Sequence, residues 1–136
     1  MGAKPSTYVL DSFAVLAYLA AEEGMPRVRE VLGDASAGHC SVYLSLISLG
    51  EVAHIVERER GLARAQETLG LIDQLPMEIL PVSRETVLAA APVKAGHPIA
   101  YADAFAVAAA QSLDAVVLTG DTELESVKEL VRVERI

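Results

Sequence analysis

The sequence predicts an α/β fold in which a parallel sheet is covered by helices on both faces. Three observations carry that expectation. Apolar runs such as Tyr8-Val9-Leu10 and Ala115-Val116-Val117-Leu118-Thr119 are continuous, whereas half-exposed strands would alternate. Helical patterns separate these runs one by one, which is the order of βαβ units. Apolar residues make up 52% of the 136 residues and aromatic ones only 4%, so aliphatic side chains fill the core of one domain spanning residues 1–136.

Along the chain, Thr7 to Leu10 reads as a buried strand bounded by Pro5 and Asp11. Asp11 and Ser12 are both good N-caps, and Phe13, Leu16, Ala17 and Ala20 continue at helical spacing. Glu22-Glu23-Gly24-Met25-Pro26 breaks that helix. A second helix is expected over Arg27 to Leu32, then a loop from Gly33 to Gly38 and a strand over His39 to Tyr43. From Leu44 to about Leu75 the pattern is helical, with Gly61 dividing two antiparallel pieces. Glu51, His54, Ile55 and Arg58 share one face of the first piece, because residues three and four apart are neighbours.

Met77 to Val82 is a strand candidate that Pro81 assigns to an edge or a strand end. Ser83 caps a helix running to about Ala95, with Glu85 in its first turn, and Pro92 should kink or shorten it. Gly96-His97-Pro98 is a loop, and Tyr101 to Leu113 is an alanine-rich helix. Ala115 to Thr119 is the clearest strand, and Val131 to Val133 adds a last one to a sheet of four to five strands. Connections between parallel strands are right-handed, and ligands gather outside the strands' carboxyl ends.

Composition narrows the function. Lys and Arg total 11 against 19 Asp and Glu, a net charge of −8, which counts against nonspecific duplex binding. Setting aside four acids discussed next leaves a background of −4, and a bound divalent cation would reverse the sign of their pocket. Arg27, Arg29, Arg58, Arg60 and Arg64 could form a local basic rim or an ordinary solvated helix face. Cys40 is the one cysteine, so no internal disulfide or cysteine-based zinc cluster forms; it reads as a small strand hydrophobe. No spacing supports a zinc site among His39, His54 and His97.

Ser12 to Ala21 carries no charge, but Asp11 interrupts its N-terminal side and Lys4 is the only basic residue before it. It therefore reads against a signal peptide. Nothing approaches the roughly 20 apolar residues of a spanning helix. Met1 to Ser6 formally fits a myristoylation pattern too short to mean much by itself. A soluble cytoplasmic protein is expected.

Asp11, Glu51, Asp103 and Asp121 each sit where an apolar segment ends or a small-residue helix begins. Taken singly, Asp11 is an N-cap, Asp103 an acid favoured near a helix N-terminus, and Asp121 a turn residue. Glu51 is harder to dismiss, because its helix neighbours are apolar and glutamate is rarely buried unpaired. Asp11 and Asp121 both lie just past predicted carboxyl ends of strands, where a site would form. Two carboxylates about 5 Å apart repel by roughly 3 kcal/mol at an effective dielectric of 20. Four make six such pairs, a total comparable with the roughly 5–15 kcal/mol stability of a domain. Such a cluster must hold protons or a cation. Hard oxygen ligands suit Mg²⁺ or Mn²⁺, and phosphodiester hydrolysis is the chemistry that fits.

Four segments together resemble the PIN-domain family, specifically its VapC-type toxin ribonucleases: Val9-Leu10-Asp11-Ser12 with Leu16-Ala17-Tyr18-Leu19, Ser48-Leu49-Gly50-Glu51-Val52, Tyr101-Ala102-Asp103-Ala104 and Leu118-Thr119-Gly120-Asp121. Each motif alone is weak, but the four occur in order over nearly the whole chain. The resemblance implies a three-layer α/β/α sandwich and Mg²⁺- or Mn²⁺-dependent RNA cleavage. It assigns metal binding and catalysis to Asp11, Glu51, Asp103 and Asp121. Glu123 stands where many relatives carry a further acid and would assist through water, with Ser12 and Thr119 as supporting hydroxyls near the metal. It also implies a homodimer and a small antitoxin protein whose segment wraps the toxin, in many relatives with a basic side chain in the acidic pocket.

Two other classes compete. A phospho-acceptor receiver using Asp11 would need a paired acid near the first strand's end and a lysine after a late strand, and only Lys128, in an expected helix, is on offer. A non-catalytic peptide-binding module would use the acids to dock a basic segment. An aspartyl-nucleophile phosphatase is disfavoured because Phe13 stands where its second aspartate belongs. No Walker lysine follows Gly120-Asp121, and there is no Gly-x-Ser-x-Gly elbow. His54 could touch a phosphate but reads more simply as a polar helix residue, and Tyr101 as a half-buried aromatic with no required role.

Overall fold

A computed structural model describes residues 6–136. Met1 to Pro5, which carry most of the acylation pattern and the expected N-terminal bound of the first strand, lie outside them. Strands β1 (Ser6–Leu10), β2 (Cys40–Ser45), β3 (Glu78–Leu80), β4 (Val116–Thr119) and β5 (Arg132–Arg135) form one sheet in the order β3-β2-β1-β4-β5, and every pairing is parallel. Helices α1 (Ser12–Leu19), α2 (Met25–Ser36), α3 (Leu46–Arg60), α4 (Leu62–Ile72), α5 (Arg84–Gly96) and α6 (Tyr101–Leu113) connect them. A 3-10 helix over Thr122–Val127 precedes β5.

Successive strand residues point to opposite faces, so β1 feeds two cores. Val9 joins Val117 and the inward faces of α5 and α6 on one side. Leu10 joins Leu44 and Leu118 with residues of α1, α2, α3 and α4 on the other. Strands buried on both faces explain the continuous apolar runs. This is the α/β/α sandwich the sequence predicts, with all five strand candidates present.

The boundaries that moved have physical reasons. Gly33 to Gly38 is not a loop: α2 continues to Ser36, because Val28, Val31, Leu32 and Ala35 extend one apolar stripe into the core. Its start moves back as well, since Pro26 sits in the first helical turn, where no amide donor is needed. Gly38, at φ +81°, carries the chain out of the helix. Leu44 and Ser45 belong to β2 rather than to the following helix, and Ser45 caps α3 by accepting a hydrogen bond from the Ile47 amide at 3.1 Å.

Strand β3 is shorter than Met77 to Val82 and lies at the sheet edge, as Pro81 requires. Helix α4 ends at Ile72 rather than near Leu75. Pro92 does not shorten α5, which is held at its start by a reciprocal capping box between Ser83 and Thr86. The 3-10 helix was not foreseen, and Lys128 is its C-cap rather than part of a longer helix. No helix among the described residues is long and apolar enough to cross a membrane.

Leu10 is 1% exposed and lies in register between Leu44 and Leu118. Leu10→Ala should therefore lower the unfolding free energy by about 2–5 kcal/mol in urea titrations. A loss below about 1 kcal/mol would show that the centre of the sheet is not packed as described.

Candidate active site

In an all-parallel sheet the carboxyl ends share one rim. After β1 the chain builds outward through β2 and β3, then returns to place β4 on the other side of β1. The order therefore reverses between β1 and β4, where the connections diverge and leave a crevice. Leu10 pairs with Leu118, so the next residues, Asp11 and Thr119, are neighbours across the two strand ends. Asp11 is the N-cap of α1, accepting a hydrogen bond from the Ala14 amide at 2.8 Å and another from the Thr119 hydroxyl. The same Thr119 oxygen accepts from the Asp121 amide at 2.9 Å, and Asp121 accepts from the Glu123 amide at 2.9 Å as it caps the 3-10 helix. One fully buried hydroxyl thus joins the ends of β1 and β4.

Glu51 and Asp103 arrive from helices on opposite faces of the sheet. Helix α3 packs against both α1 and α6, and the Ser12 hydroxyl donates to Glu51 across 39 residues of sequence. Asp103 lies in the first turn of α6. Among the described residues none donates a hydrogen bond to its carboxylate, although it is only 6% exposed.

The four acids lie near enough to act on one another electrostatically. The Asp103 carboxyl is pushed up to about 7, first by burial and then by repulsion from Asp11, Asp121, Glu51 and Glu123. Asp11 is pushed up to about 6, mainly by burial, against the lowering effect of the Thr119 and Ala14 hydrogen bonds; Asp121 and Glu51 again raise it. The difference between the two acids follows from their donors: Asp11 has two and Asp103 none.

Every residue singled out for the site is therefore at this rim. Ser12 and Thr119, expected as hydroxyls near a metal, donate to carboxylates and so set where Glu51 and Asp11 point. Glu123 is exposed at the edge of the pocket. A carboxylate without a protein donor, opening into the crevice among other hard oxygen ligands, suits a small divalent cation. Among the described residues no group of three His, Cys, Asp or Glu is drawn together closely enough to hold a metal ion as it stands. Repelling carboxylates held apart on their own donors would need to draw inward around a cation.

One expectation about the surroundings changes. Tyr101 is 52% exposed rather than half-buried, its ring set against Phe105 at 5.2 Å. Of the five arginines that could form a rim, Arg27 is bound to Glu134 at 2.6 Å and Glu30 at 3.1 Å, Arg58 and Arg64 face Glu59 and Glu67, and Arg29 and Arg60 are exposed. His54 is exposed on α3. Sequence reasoning also passed over Gly120, where an added Cβ would run into the ring of Phe13. A glycine between a strand end and an acid was the available signal, since it marks a close approach.

Raised carboxyl values have a sign that stability can test. Between about pH 4 and pH 7 the folded chain keeps protons on Asp11 and Asp103 that the unfolded chain has released. The contribution of these acids is thus fully present below that window and is lost as pH rises through it. With chelator present, urea midpoints should fall from pH 5 to pH 8, and Asp103→Asn should flatten the slope. An unchanged slope in the variant would contradict the proton on Asp103.

Solved structures of similar fold were found across nearly the full length of the chain. DNA-bound VapBC from Salmonella typhimurium matches with a TM-score of 0.73 and 21% identity, covering 96% of this chain and 98% of that one. VapBC2 from Rickettsia felis, bound to a promoter DNA fragment, gives 0.72 and 16%, covering 95% and 98%. VapC20 from Mycobacterium tuberculosis, a toxin that cleaves the sarcin–ricin loop, gives 0.67 and 17%, covering 88% and 93%. The sequence finds no match among curated proteins. At these identities the likeness speaks for the fold. The family itself is set by sequence, for the PIN domain family model matches residues 8–130: this chain belongs to the PIN-domain family.

Proposed function

We propose that this protein is a divalent-metal-dependent endoribonuclease and the toxin of a toxin–antitoxin pair. The observation that carries the reading is the gathering of four acids at the topological switch point, with the Asp103 carboxylate opening into the crevice without a described protein donor. Asp11 and Asp103 would supply the buried ligands to Mg²⁺ or Mn²⁺, and Asp121 and Glu51 the half-buried ones. When bound, the cation supplies Lewis acidity toward a phosphodiester oxygen and lowers the pKa of a water.

The chain's own residues do the positioning. Thr119 and Ser12 orient Asp11 and Glu51 through the hydrogen bonds already described. Asp103 gives up its proton when positive charge enters the pocket, because the repulsion that raised its pKa is then offset. Glu123, at the solvent edge, would assist through water.

The toxin role is supported by the likeness to VapBC complexes, and by that analogy the partners are an RNA substrate, a small antitoxin and a second copy of this chain in a homodimer. An antitoxin's basic side chain in the pocket would relieve the same repulsion as the cation. The cytoplasm, where RNA is at hand, is the compartment this reading requires. The receiver alternative finds no favourable observation, for Asp11 already accepts from Thr119 and Ala14, and Lys128 caps an exposed turn.

Purified wild-type protein with Mg²⁺ or Mn²⁺ should cleave single-stranded RNA, and chelator should stop it. Asp103→Asn should abolish cleavage while leaving the metal-free fold as stable or more so, because it removes a repelling charge. Thr119→Val should weaken Mn²⁺ binding by about 10–100-fold, the usual effect of losing a group that orients a ligand. Cleavage that survives Asp103→Asn refutes the assignment.

A further inference from the structure

The chain has six aromatic side chains, two Phe and four Tyr. Phe105 is buried and Tyr8, Tyr18 and Tyr43 are half-buried, as aromatic rings in a small core should be. The two exceptions are Phe13, 48% exposed, and Tyr101, 52% exposed. Each lies two residues after or before a proposed metal ligand, Asp11 and Asp103. Leaving large rings in water forgoes the main favourable contribution that such side chains make to folding. Their coincidence with the acid pocket therefore asks for an explanation.

Their placement relative to the sheet is opposed. The Phe13 ring covers Gly120, just beyond the end of β4. Tyr101 stacks on Phe105, which lines an apolar groove together with Ser45, Leu80 and Pro81 at the ends of β2 and β3. Strand β1, which delivers Asp11, lies between β4 and β2. The rings thus stand on either side of the acids. Residues two apart in a helix differ by about 200° in direction, so Tyr101 points away from Asp103 toward this flank.

Resting on the nuclease reading above, we propose that Phe13 and Tyr101 are nucleobase-stacking positions that hold single-stranded RNA on either side of the cleaved phosphate. Charge makes this division of labour reasonable. With a net charge of −8, and with Arg27, Arg58 and Arg64 facing acids of their own, the surface offers little basic grip on a phosphate backbone. Stacking is indifferent to net charge and tolerant of sequence, because every base has a π-face. It also requires unpaired bases, so the same rings would select single strands and loops over duplex.

The test is equilibrium binding in the cleavage-deficient Asp103→Asn background, by fluorescence anisotropy in Mg²⁺, with a labelled single-stranded RNA of mixed sequence. Adding Phe13→Ala or Tyr101→Ala should weaken binding by about tenfold each. Phe13→Trp and Tyr101→Phe should retain it. A probe with abasic positions should lose a similar factor against Asp103→Asn alone and lose nothing more with the alanine variants. Each ring is about half exposed, so thermal midpoints should fall by no more than a few degrees, and binding is measured well below them. Alanine variants that bind as tightly as their background, or a background that binds no RNA, overturn the proposal and leave a protein partner as the occupant of these rings. Cleavage by the wild type is read in parallel. Cleavage with ring-independent binding refutes the stacking role alone, and ring-dependent binding without cleavage refutes the nuclease reading alone.

Discussion

Mutual repulsion among carboxylates gathered at one rim of the sheet shapes the rest of this molecule. Parallel strands deliver their carboxyl ends to the same side, and the reversal of order between β1 and β4 opens a crevice there. Asp11 and Asp121 follow those two strand ends directly, while α3 and α6 carry Glu51 and Asp103 in from opposite faces. Burial then sharpens the conflict by disfavouring the ionised forms of Asp11 and Asp103. Asp11 is partly relieved by the Thr119 hydroxyl and the Ala14 amide. Asp103 has no described donor, and its carboxyl is pushed furthest. A fold that tolerates this arrangement needs compensation elsewhere, and two aliphatic cores on the two faces of the sheet supply it.

Ordinary polar contacts take on meaning in that setting. Thr119 bridges the Asp11 carboxylate and the Asp121 backbone amide, and Ser12 reaches Glu51, so two hydroxyls fix the directions of two acids. Such contacts keep like charges at a set separation when nothing positive lies between them. Cationic side chains are used differently. Arg27 joins α2 to β5 through Glu134 and lies over the Tyr8 ring, which holds the far edge of the sheet rather than the pocket. Acidic character is therefore concentrated at the rim, and among the described residues Arg27, Arg58, Arg64 and Arg132 are paired with acids other than the four there.

Much of this was legible in the sequence because the deciding signals are local. Continuous apolar runs marked strands buried on both faces, and Asp11 and Ser83 marked helix starts that the structure retains. The acids could be picked out because each interrupts an apolar segment. What stayed hidden depends on tertiary contact. The extension of α2 through Gly33 relies on Ala35 finding the core, and the start of α3 relies on Leu44 pairing with Leu10 and Ile79. Pairing of Ser12 with Glu51 spans 39 residues and has no sequence signature. The family match rests on sequence and the sandwich on structure, while the chemistry rests on the acids.

The most direct measurement is anomalous diffraction from crystals of the protein soaked in Mn²⁺. The account predicts a manganese peak among Asp11, Glu51, Asp103 and Asp121, with the carboxylates drawn inward from their present donors. A well-soaked crystal with no peak at that rim, or with manganese only on unrelated surface acids, would contradict it.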